Sequence, residues 1–325
     1  MITVEDLVEI YSDGTKAVDG ISFEVKQGEF FGFLGPNGAG KSTTIKVLTT
    51  LLRKTKGKVS VAGIDLDRSP AEIRKNIGVL SQETSLDIDL TGRENLRLQG
   101  RLQQMHGRAL EERIDELLKL VQLEDVANKP AGRYSGGMRK RLDLASALIH
   151  SPKLLFLDEP TTGLDTQSRT AIWEYLEGLN KKERLTIFLT TQYLEEADRL
   201  CNRLAVIDQG KLIAGGTPSE LKESVGGDTI TLLLKDISLR PKAKEILKAI
   251  QGVREVRDSD ERIIAYVKNA GHIIAGIVTT LDRNGIQLSF LSIYIPTLDD
   301  VFLRETGRRI RSDELSRRET EPFLM

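Results

Sequence analysis

The sequence has little of several features that define whole classes of protein. Cys201 is the only cysteine among 325 residues, and one thiol cannot form an internal disulfide framework. No apolar run approaches the roughly 18 consecutive residues that a helix needs to cross a bilayer, and the uncharged stretch 270–281 is shorter and includes His272. The first residues also lack the basic-then-apolar pattern of a secretory signal. We therefore expect a cytoplasmic protein without a membrane span of its own.

An excess of charge of one sign is also absent. The formal net charge is -1, although charged residues make up 29% of the chain. Proteins that bind nucleic acid usually carry a strongly basic face, which this balance does not indicate. We therefore expect no nucleic-acid partner.

The most informative segment that is present is a glycine-rich motif. Residues 35–43 read GPNGAGKST and fit the phosphate-loop pattern G-x-x-x-x-G-K-[ST]. The apolar run Phe30–Leu34 before them predicts a buried strand, and glycines after a strand allow backbone N–H groups to converge on a phosphate. Lys41 adds a positive charge for the β- and γ-phosphates at the next helix start, and Ser42 offers a hydroxyl to Mg²⁺. The predicted phosphate-binding residues are Gly35, Pro36, Asn37, Gly38, Ala39, Gly40, Lys41, Ser42 and Thr43.

A second motif supplies two carboxylates at the end of another apolar run. Leu154–Leu157 predicts a strand, and Asp158 and Glu159 follow it directly. Asp158 is placed to hold Mg²⁺ through water, and Glu159 is placed to act as the general base that polarises a water for attack on the γ-phosphoryl group. Acidic residues also end strands in solvent without any chemical role. The phosphate loop in the same chain favours the catalytic interpretation.

Residues 134–141 read YSGGMRKR and resemble the signature sequence of the ATP-binding-cassette (ABC) ATPases, one branch of the phosphate-loop NTPases. The resemblance covers about residues 1–225. It implies that Ser135, Gly136 and Gly137, at a helix start, close over the γ-phosphate held by the phosphate loop of another subunit. The alternative is a simple helix cap with flexible glycines, which does not explain the shared order of motifs.

The resemblance assigns roles to further residues. It implies that Tyr11 stacks on adenine, that Gln82 contacts Mg²⁺ and the attacking water while reporting to a membrane partner, and that Asp165 lies at the dimer seam. Family members usually carry a histidine in the loop after the strand Leu185–Leu189, where this chain has Gln192. A carboxamide can donate a hydrogen bond to a phosphate oxygen but cannot carry a positive charge. We therefore expect Gln192 to sense the γ-phosphate with less electrostatic help.

Three features together resemble the ATPase subunits of daunorubicin-resistance-type drug exporters. They are Gln192, Met138 in the signature, and residues 297–303, which read TLDDVFL. This resemblance implies an exporter whose pore is a separate integral membrane permease. It also implies that the ATPase lies at the cytoplasmic face of the membrane and pairs with a second copy or with another ATPase subunit.

Two other classes of function stay open from the sequence. One is a soluble ATP-switched assembly or repair protein of the same superfamily, and the other is a nucleotide-binding regulatory module without turnover. Repair relatives would be expected to have a long heptad insertion before the signature, and translation relatives to have two cassettes in one chain. Neither feature occurs in this sequence, which favours the transport ATPase.

The sequence patterns predict a large domain followed by a small one. We expect residues 1–220 to form an α/β domain with an ABC-type phosphate-loop NTPase core and a mostly parallel sheet. Within it, about residues 84–150 are expected to form an inserted helical subdomain, because apolar residues recur there at helical spacing. The residues that carry this spacing are Leu110, Ile114, Leu117, Leu118 and Val121.

The end of the chain predicts a second fold. Residues 216–228 contain Pro218 and paired glycines, which are typical of a joint between domains. Over residues 228–307 the strand and helix patterns follow the order βαββαβ, which predicts a small α+β domain of the split βαβ, ferredoxin-like kind. No catalytic constellation occurs there, and we expect a regulatory or dimer-stabilising module rather than a passive appendage. Residues 308–325 are charged and are expected to form a flexible tail.

Overall fold

The structure is a computed structural model and describes residues 1–259 and 262–307. Met1–Pro218 form one compact unit, and residues 219–307 form a second. The tail predicted over residues 308–325 lies outside the described residues. None of the helices in the described ranges has the length and apolar content of a membrane span.

The first unit contains ten strands and seven α-helices among the described residues. Its strands are β1 (Ile2–Ile10), β2 (Lys16–Val25), β3 (Phe30–Leu34), β4 (Lys56–Val61), β5 (Ile64–Asp65), β6 (Ile77–Leu80), β7 (Leu154–Asp158), β8 (Thr186–Thr191), β9 (Arg203–Asp208) and β10 (Lys211–Gly216). Its helices are α1 (Lys41–Leu48), α2 (Pro70–Asn76), α3 (Gly92–Leu102), α4 (Gly107–Leu120), α5 (Gly136–Ala147), α6 (Thr166–Glu183) and α7 (Leu194–Leu200).

A six-stranded sheet positions the site. Its strand order is β10-β9-β3-β8-β7-β6, and every neighbouring pair is parallel except β10 and β9. Every residue of β3, β7 and β8 is buried, as expected for parallel strands covered on both faces. The strands predicted from the apolar runs are therefore confirmed. Because parallel strands end at one edge of the sheet, the segments after β3, β7 and β8 meet there.

A second, antiparallel sheet of order β2-β1-β4-β5 shares its apolar core with the first. Phe188 of β8 lies at the centre of this core. Its ring centroid lies 5.5 to 6.0 Å from four other phenylalanine rings. Aromatic pairs at such distances add to the free energy gained by burying their surface. The rings around Phe188 are those of Phe23, Phe31, Phe33 and Phe156.

Helices α3, α4 and α5 pack against one another. The side chains predicted to form one helical face are all buried, four of them on α4 and Val121 just after it. Helix α3 begins with a capping box, in which the Thr91 hydroxyl accepts the Glu94 N–H and the Glu94 carboxylate accepts the Thr91 N–H. Ser135 caps α5, so the signature does start a helix as predicted.

The second unit has the predicted βαββαβ order. Its sheet has the order β12-β13-β11-β14 with every neighbouring pair antiparallel, which is the split βαβ arrangement. The central strand β11 is buried at alternate positions, as expected for a sheet with helices on one face. Its elements are α8 (Pro218–Ser224), β11 (Asp228–Leu234), α9 (Arg240–Ala249), β12 (Val253–Ser259), β13 (Arg262–Val267), α10 (Ala270–Arg283), β14 (Leu288–Tyr294) and α11 (Leu298–Thr306).

Helices α2, α8 and α11 were not predicted from the sequence. Helix α8 occupies most of the segment interpreted as a joint, and Pro218 stands at its first position, where the missing N–H costs nothing. Helix α11 begins with a capping box formed by Thr297 and Asp300. Helices α8 and α11 each begin with a local signal, a proline at the first position of α8 and a capping box at the start of α11.

Candidate active site

The phosphate loop connects β3 to α1 and requires glycine at two positions. Gly40 has φ +106°, a left-handed conformation that side chains rarely adopt, and a Cβ there would lie 2.4 Å from the Ala17 carbonyl oxygen. A Cβ on Gly35 would lie 2.3 Å from the Ile207 carbonyl oxygen. The start of α1 has neither a side-chain cap nor an acidic residue. The fold therefore leaves its backbone N–H groups as donors for an anion.

Lys41 is held between the loop and a carboxylate. Its Nζ donates to the carbonyl oxygens of Gly35 and Pro36, at 2.8 and 3.0 Å. The same Nζ lies 3.1 Å from Glu159 Oε1, and the two residues are 4% and 7% exposed. A buried ion pair of this kind needs added hydrogen bonds to offset the loss of hydration, and the loop carbonyls supply them. The lysine charge is thus fixed beside the turn that would surround a phosphate.

The second carboxylate lies beside the serine of the phosphate loop. Ser42 Oγ donates to Asp158 Oδ1 at 3.3 Å, so the ends of β7 and of the phosphate loop are in direct contact. Asp158 is buried. Its carboxylate oxygens and the Ser42 hydroxyl are oxygen ligands of the kind that Mg²⁺ prefers.

A cavity of about 650 Å³ opens in front of these groups. A volume of this size is in the range of pockets that hold cofactors and substrates. It brings together predicted residues from five separate segments of the chain. The predicted residues that line it are Tyr11, Asn37, Gly38, Gly40, Lys41, Ser42, Thr43, Gln82, Glu159 and Gln192.

The remaining predicted residues do not line this cavity. Gly35, Pro36 and Ala39 form the part of the loop behind it, and Asp158 reaches it through Ser42. The signature residues Ser135, Gly136 and Gly137 and the seam residue Asp165 also lie outside it.

The signature and the seam segment lie next to each other. A Cβ on Gly137 would lie 2.6 Å from Ser168 Oγ, and Ser168 follows the N-cap Asp165 in the first turn of α6. Hydrogen bonds from the Ser168 amide and hydroxyl lower the pKa of Asp165 and keep this exposed carboxylate charged. Ser135 and Gly136 are exposed as well. Ser135 and Gly136 thus lie on an exposed surface outside the chain's own cavity, whereas Gly137 is buried beside Ser168.

Tyr11 occupies the cavity wall, and its hydroxyl forms a hydrogen bond with Thr43 Oγ1 at 3.0 Å. This bond connects the start of the chain to α1 and orients the ring at the cavity mouth. Stacking on adenine stays a prediction.

Six residues line the cavity without having been predicted. The turn after β9 is the clearest case, because the Gly210 N–H donates to the Ala39 carbonyl at 3.0 Å and so supports the phosphate loop. This contact joins residues far apart in the chain and leaves no local signal in the sequence. The six residues are Thr15, Lys16, Ala17, Thr162, Gln209 and Gly210.

The chain matches known proteins along nearly its whole length. Residues 18–162 match the family model of the ABC transporter, and residues 216–306 match that of the C-terminal domain of DrrA1-3-like ATP-binding proteins. The daunorubicin resistance ATP-binding protein DrrA2 of Streptomyces coeruleorubidus is 43% identical over 92% of this chain and 93% of its own. The daunorubicin/doxorubicin resistance ATP-binding protein DrrA of Streptomyces peucetius is 44% identical over 94% and 92%.

A solved structure resembles the first unit. It is the dimeric, post-hydrolysis state of an ATP-binding cassette bound to ADP and Pi, with a TM-score of 0.62 and 28% identity. The match covers 67% of this chain and 98% of the solved one. Family models, relatives and fold agree with the geometry of the phosphate loop and its two carboxylates. The chain therefore belongs to the ABC transporter family, as one of its ATP-binding and ATP-hydrolysing subunits.

Proposed function

We propose that the chain hydrolyses ATP in the cavity in front of the phosphate loop and thereby drives export through a separate membrane-spanning permease. The observation that carries this proposal is the buried contact between Lys41 and Glu159 beside the Ser42–Asp158 pair. Export is supported by the relatives, which are named for resistance to daunorubicin and doxorubicin. The permease would hold the chain at the cytoplasmic face of the membrane.

Each predicted residue has a role in this proposal that its position supports. Lys41 and the start of α1 bind the β- and γ-phosphates, and Tyr11 binds adenine. Glu159 orients and deprotonates the attacking water, because phosphoryl transfer depends on positioning and charge stabilisation. Gln192 lines the same cavity and donates a neutral hydrogen bond to the γ-phosphate.

The residues around Ser42 fit a magnesium ion that arrives with the nucleotide. Magnesium keeps several waters and takes few ligands from protein. No group of three or more His, Cys, Asp and Glu side chains in residues 1–259 and 262–307 is arranged to hold a metal ion by itself. Ser42 and Gln82 would contact the ion and Asp158 would hold it through water. When bound, it would neutralise charge on the phosphates.

A second copy, or a paired ATPase subunit, would complete the site. Ser135 and Gly136 lie at an exposed helix start outside their own cavity, with the buried Gly137 next to them, which suits a second anion site that faces another subunit. Asp165, beside them, would lie at the seam. The dimeric state of the solved relative supports this arrangement.

We assign ATP binding and hydrolysis to a domain of residues 1–220, with a helical subdomain of about 84–150, and a regulatory or dimer-stabilising role to 228–307. The outermost strand β14 supports the second role. It exposes Phe290 and Tyr294 at 48% and 51%, and exposed apolar edges of sheets favour pairing with other chains.

The test of the proposed function is the turnover of Glu159→Gln. This variant keeps the side-chain volume and is expected to bind ATP but to lose at least about a hundredfold in turnover, as for a positioned general base. The matched control is Glu29→Gln, because Glu29 is also 7% exposed and paired, to Arg203, away from the cavity. Wild-type turnover in Glu159→Gln would contradict the assignment.

A further inference from the structure

Thr190 lies beside both proposed carboxylates, although nothing in the sequence motifs gives it a role. It is fully buried in β8. In the parallel register it stands opposite Asp158 of β7 on one side and Phe33 of β3 on the other. Residues in register on neighbouring strands project from the same face of a sheet. The Thr190 hydroxyl therefore emerges at the Asp158 carboxylate.

The hydroxyl makes a short hydrogen bond to that carboxylate. Thr190 Oγ1 donates to Asp158 Oδ1 at 2.5 Å, which is the length of a strong O–H···O⁻ bond. Ser42 Oγ donates to the same oxygen at 3.3 Å. Two donors on Oδ1 fix the rotation of the carboxyl group, and one of them belongs to the phosphate loop.

Thr190 also holds the backbone of the next residue. Glu159 has φ +49°, a left-handed conformation that residues other than glycine adopt only where their surroundings impose it. Its N–H donates to Thr190 O at 3.1 Å and to Thr190 Oγ1 at 3.3 Å. This turn directs the Glu159 side chain towards Lys41.

We propose that Thr190 is a positioning residue for ATP hydrolysis. Its hydroxyl fixes the carboxyl plane of Asp158 and supports the strained turn that aims Glu159 into the cavity. The inference rests on the roles proposed above for Asp158 and Glu159. The reaction needs these two carboxylates in fixed orientations because its catalysis is mostly positioning.

Three substitutions on the same strand separate this role from ordinary packing. Thr190→Val keeps the shape and loses the hydroxyl, and its kcat is expected to fall by about ten- to a hundredfold, the equivalent of one hydrogen bond to a charged group. Thr190→Ser keeps the hydroxyl and is expected to retain most of kcat. Thr186→Val is the control, because Thr186 is equally buried and its hydroxyl accepts the Gly28 N–H at 2.9 Å. It is expected to lower stability and leave kcat unchanged.

Nucleotide binding gives a readout besides turnover. If Thr190 orients Asp158 for water-mediated contact with Mg²⁺, Thr190→Val should lose part of the affinity that Mg²⁺ adds for a non-hydrolysable ATP analogue. Its affinity for the same analogue in EDTA should equal that of wild type. A general loosening of the site would weaken both affinities together. Equilibrium titration of the full chain with and without Mg²⁺ measures the difference.

The outcomes separate this inference from the proposed function. Wild-type kcat and Mg²⁺ dependence in Thr190→Val, beside an inactive Glu159→Gln, would overturn the role of Thr190 and leave the catalytic assignment standing. Equal losses in Thr190→Val and Thr190→Ser, or in Thr190→Val and Thr186→Val, would also overturn it. Wild-type turnover in Glu159→Gln would contradict both the catalytic assignment of Glu159 and the positioning role of Thr190.

Discussion

The buried pair of Lys41 and Glu159 predicts an effect on ATP affinity as well as on turnover. Lys41 Nζ lies 3.1 Å from Glu159 Oε1, and it must turn from this carboxylate towards phosphate when ATP binds. At an effective dielectric constant of about 20, two unit charges at this distance attract by roughly 5 kcal/mol. Desolvation of two nearly buried groups cancels most of that attraction. We take a net coupling of about 1.4 kcal/mol, which corresponds to about tenfold in affinity.

Glu159→Gln is therefore expected to bind ATP about tenfold more tightly than wild type. The neutral amide holds Lys41 less strongly and does not repel the γ-phosphate, while the loop carbonyls still anchor the lysine. Titration calorimetry in EDTA, at chain concentrations where light scattering reports a monomer, measures this affinity without turnover or pairing. Glu29→Gln, which breaks the pair with Arg203 instead, should bind ATP as wild type does. Unchanged or weaker binding by a folded Glu159→Gln would refute the competition between Glu159 and phosphate.

Gln192 and Glu196 are two further buried polar residues whose replacement has a predictable effect. Gln192→Ala is expected to lower turnover modestly, by the equivalent of about 0.5 to 1.5 kcal/mol for one neutral hydrogen bond. Gln192→His is expected to preserve or raise turnover. Equal steady-state ATPase rates for the wild type and these two variants would exclude Gln192 from the mechanism. Burial raises the pKa of Glu196, whose Oε1 accepts from Thr161 and Trp173. Since the folded state then binds the proton more tightly than the unfolded state, this group makes stability fall as pH rises from the ordinary carboxyl value up to the raised one. Denaturant unfolding from pH 4 to 8 measures this dependence, and Glu196→Gln should remove the fall in the free energy of unfolding. The same pH dependence in wild type and variant would show that Glu196 does not titrate in this range.

The part of the site that the sequence predicts is the part encoded by local pattern. Strands β3 and β7 and the middle of β8 are apolar because the strands are parallel and buried on both faces. The motifs that follow β3 and β7 meet at one sheet edge for the same topological reason. The meeting of Lys41 and Glu159 in one cavity could therefore be predicted from the sequence, whereas the place of Gln192 beside them was implied by the family resemblance.

The rest depends on contacts that leave no local pattern. Gly210 supports Ala39 from a distant turn. Thr190 has the sequence appearance of an ordinary strand residue, because threonine is generally enriched in strands. Only the register of β7 and β8 distinguishes its hydroxyl from a packing group. Helix α11 is a different case, because the Thr297–Asp300 capping box is a local signal.

Mixing two inactive chains shows whether each catalytic site is shared between two subunits. One chain carries Lys41→Ala with Glu159→Gln, which disables its phosphate loop without leaving a buried carboxylate unpaired. The other carries Ser135→Asp, which keeps a good cap for α5 and places a negative charge against the γ-phosphate of its partner.

Each of the two chains should be inactive alone. In a mixed dimer the intact phosphate loop of one chain faces the intact signature of the other, so one of the two sites is restored. An equimolar mixture should then recover about a quarter of the wild-type ATPase rate, because half of the dimers are mixed and each has one working site. A mixture no more active than its separate components, or full activity of Ser135→Asp alone, would contradict the shared site.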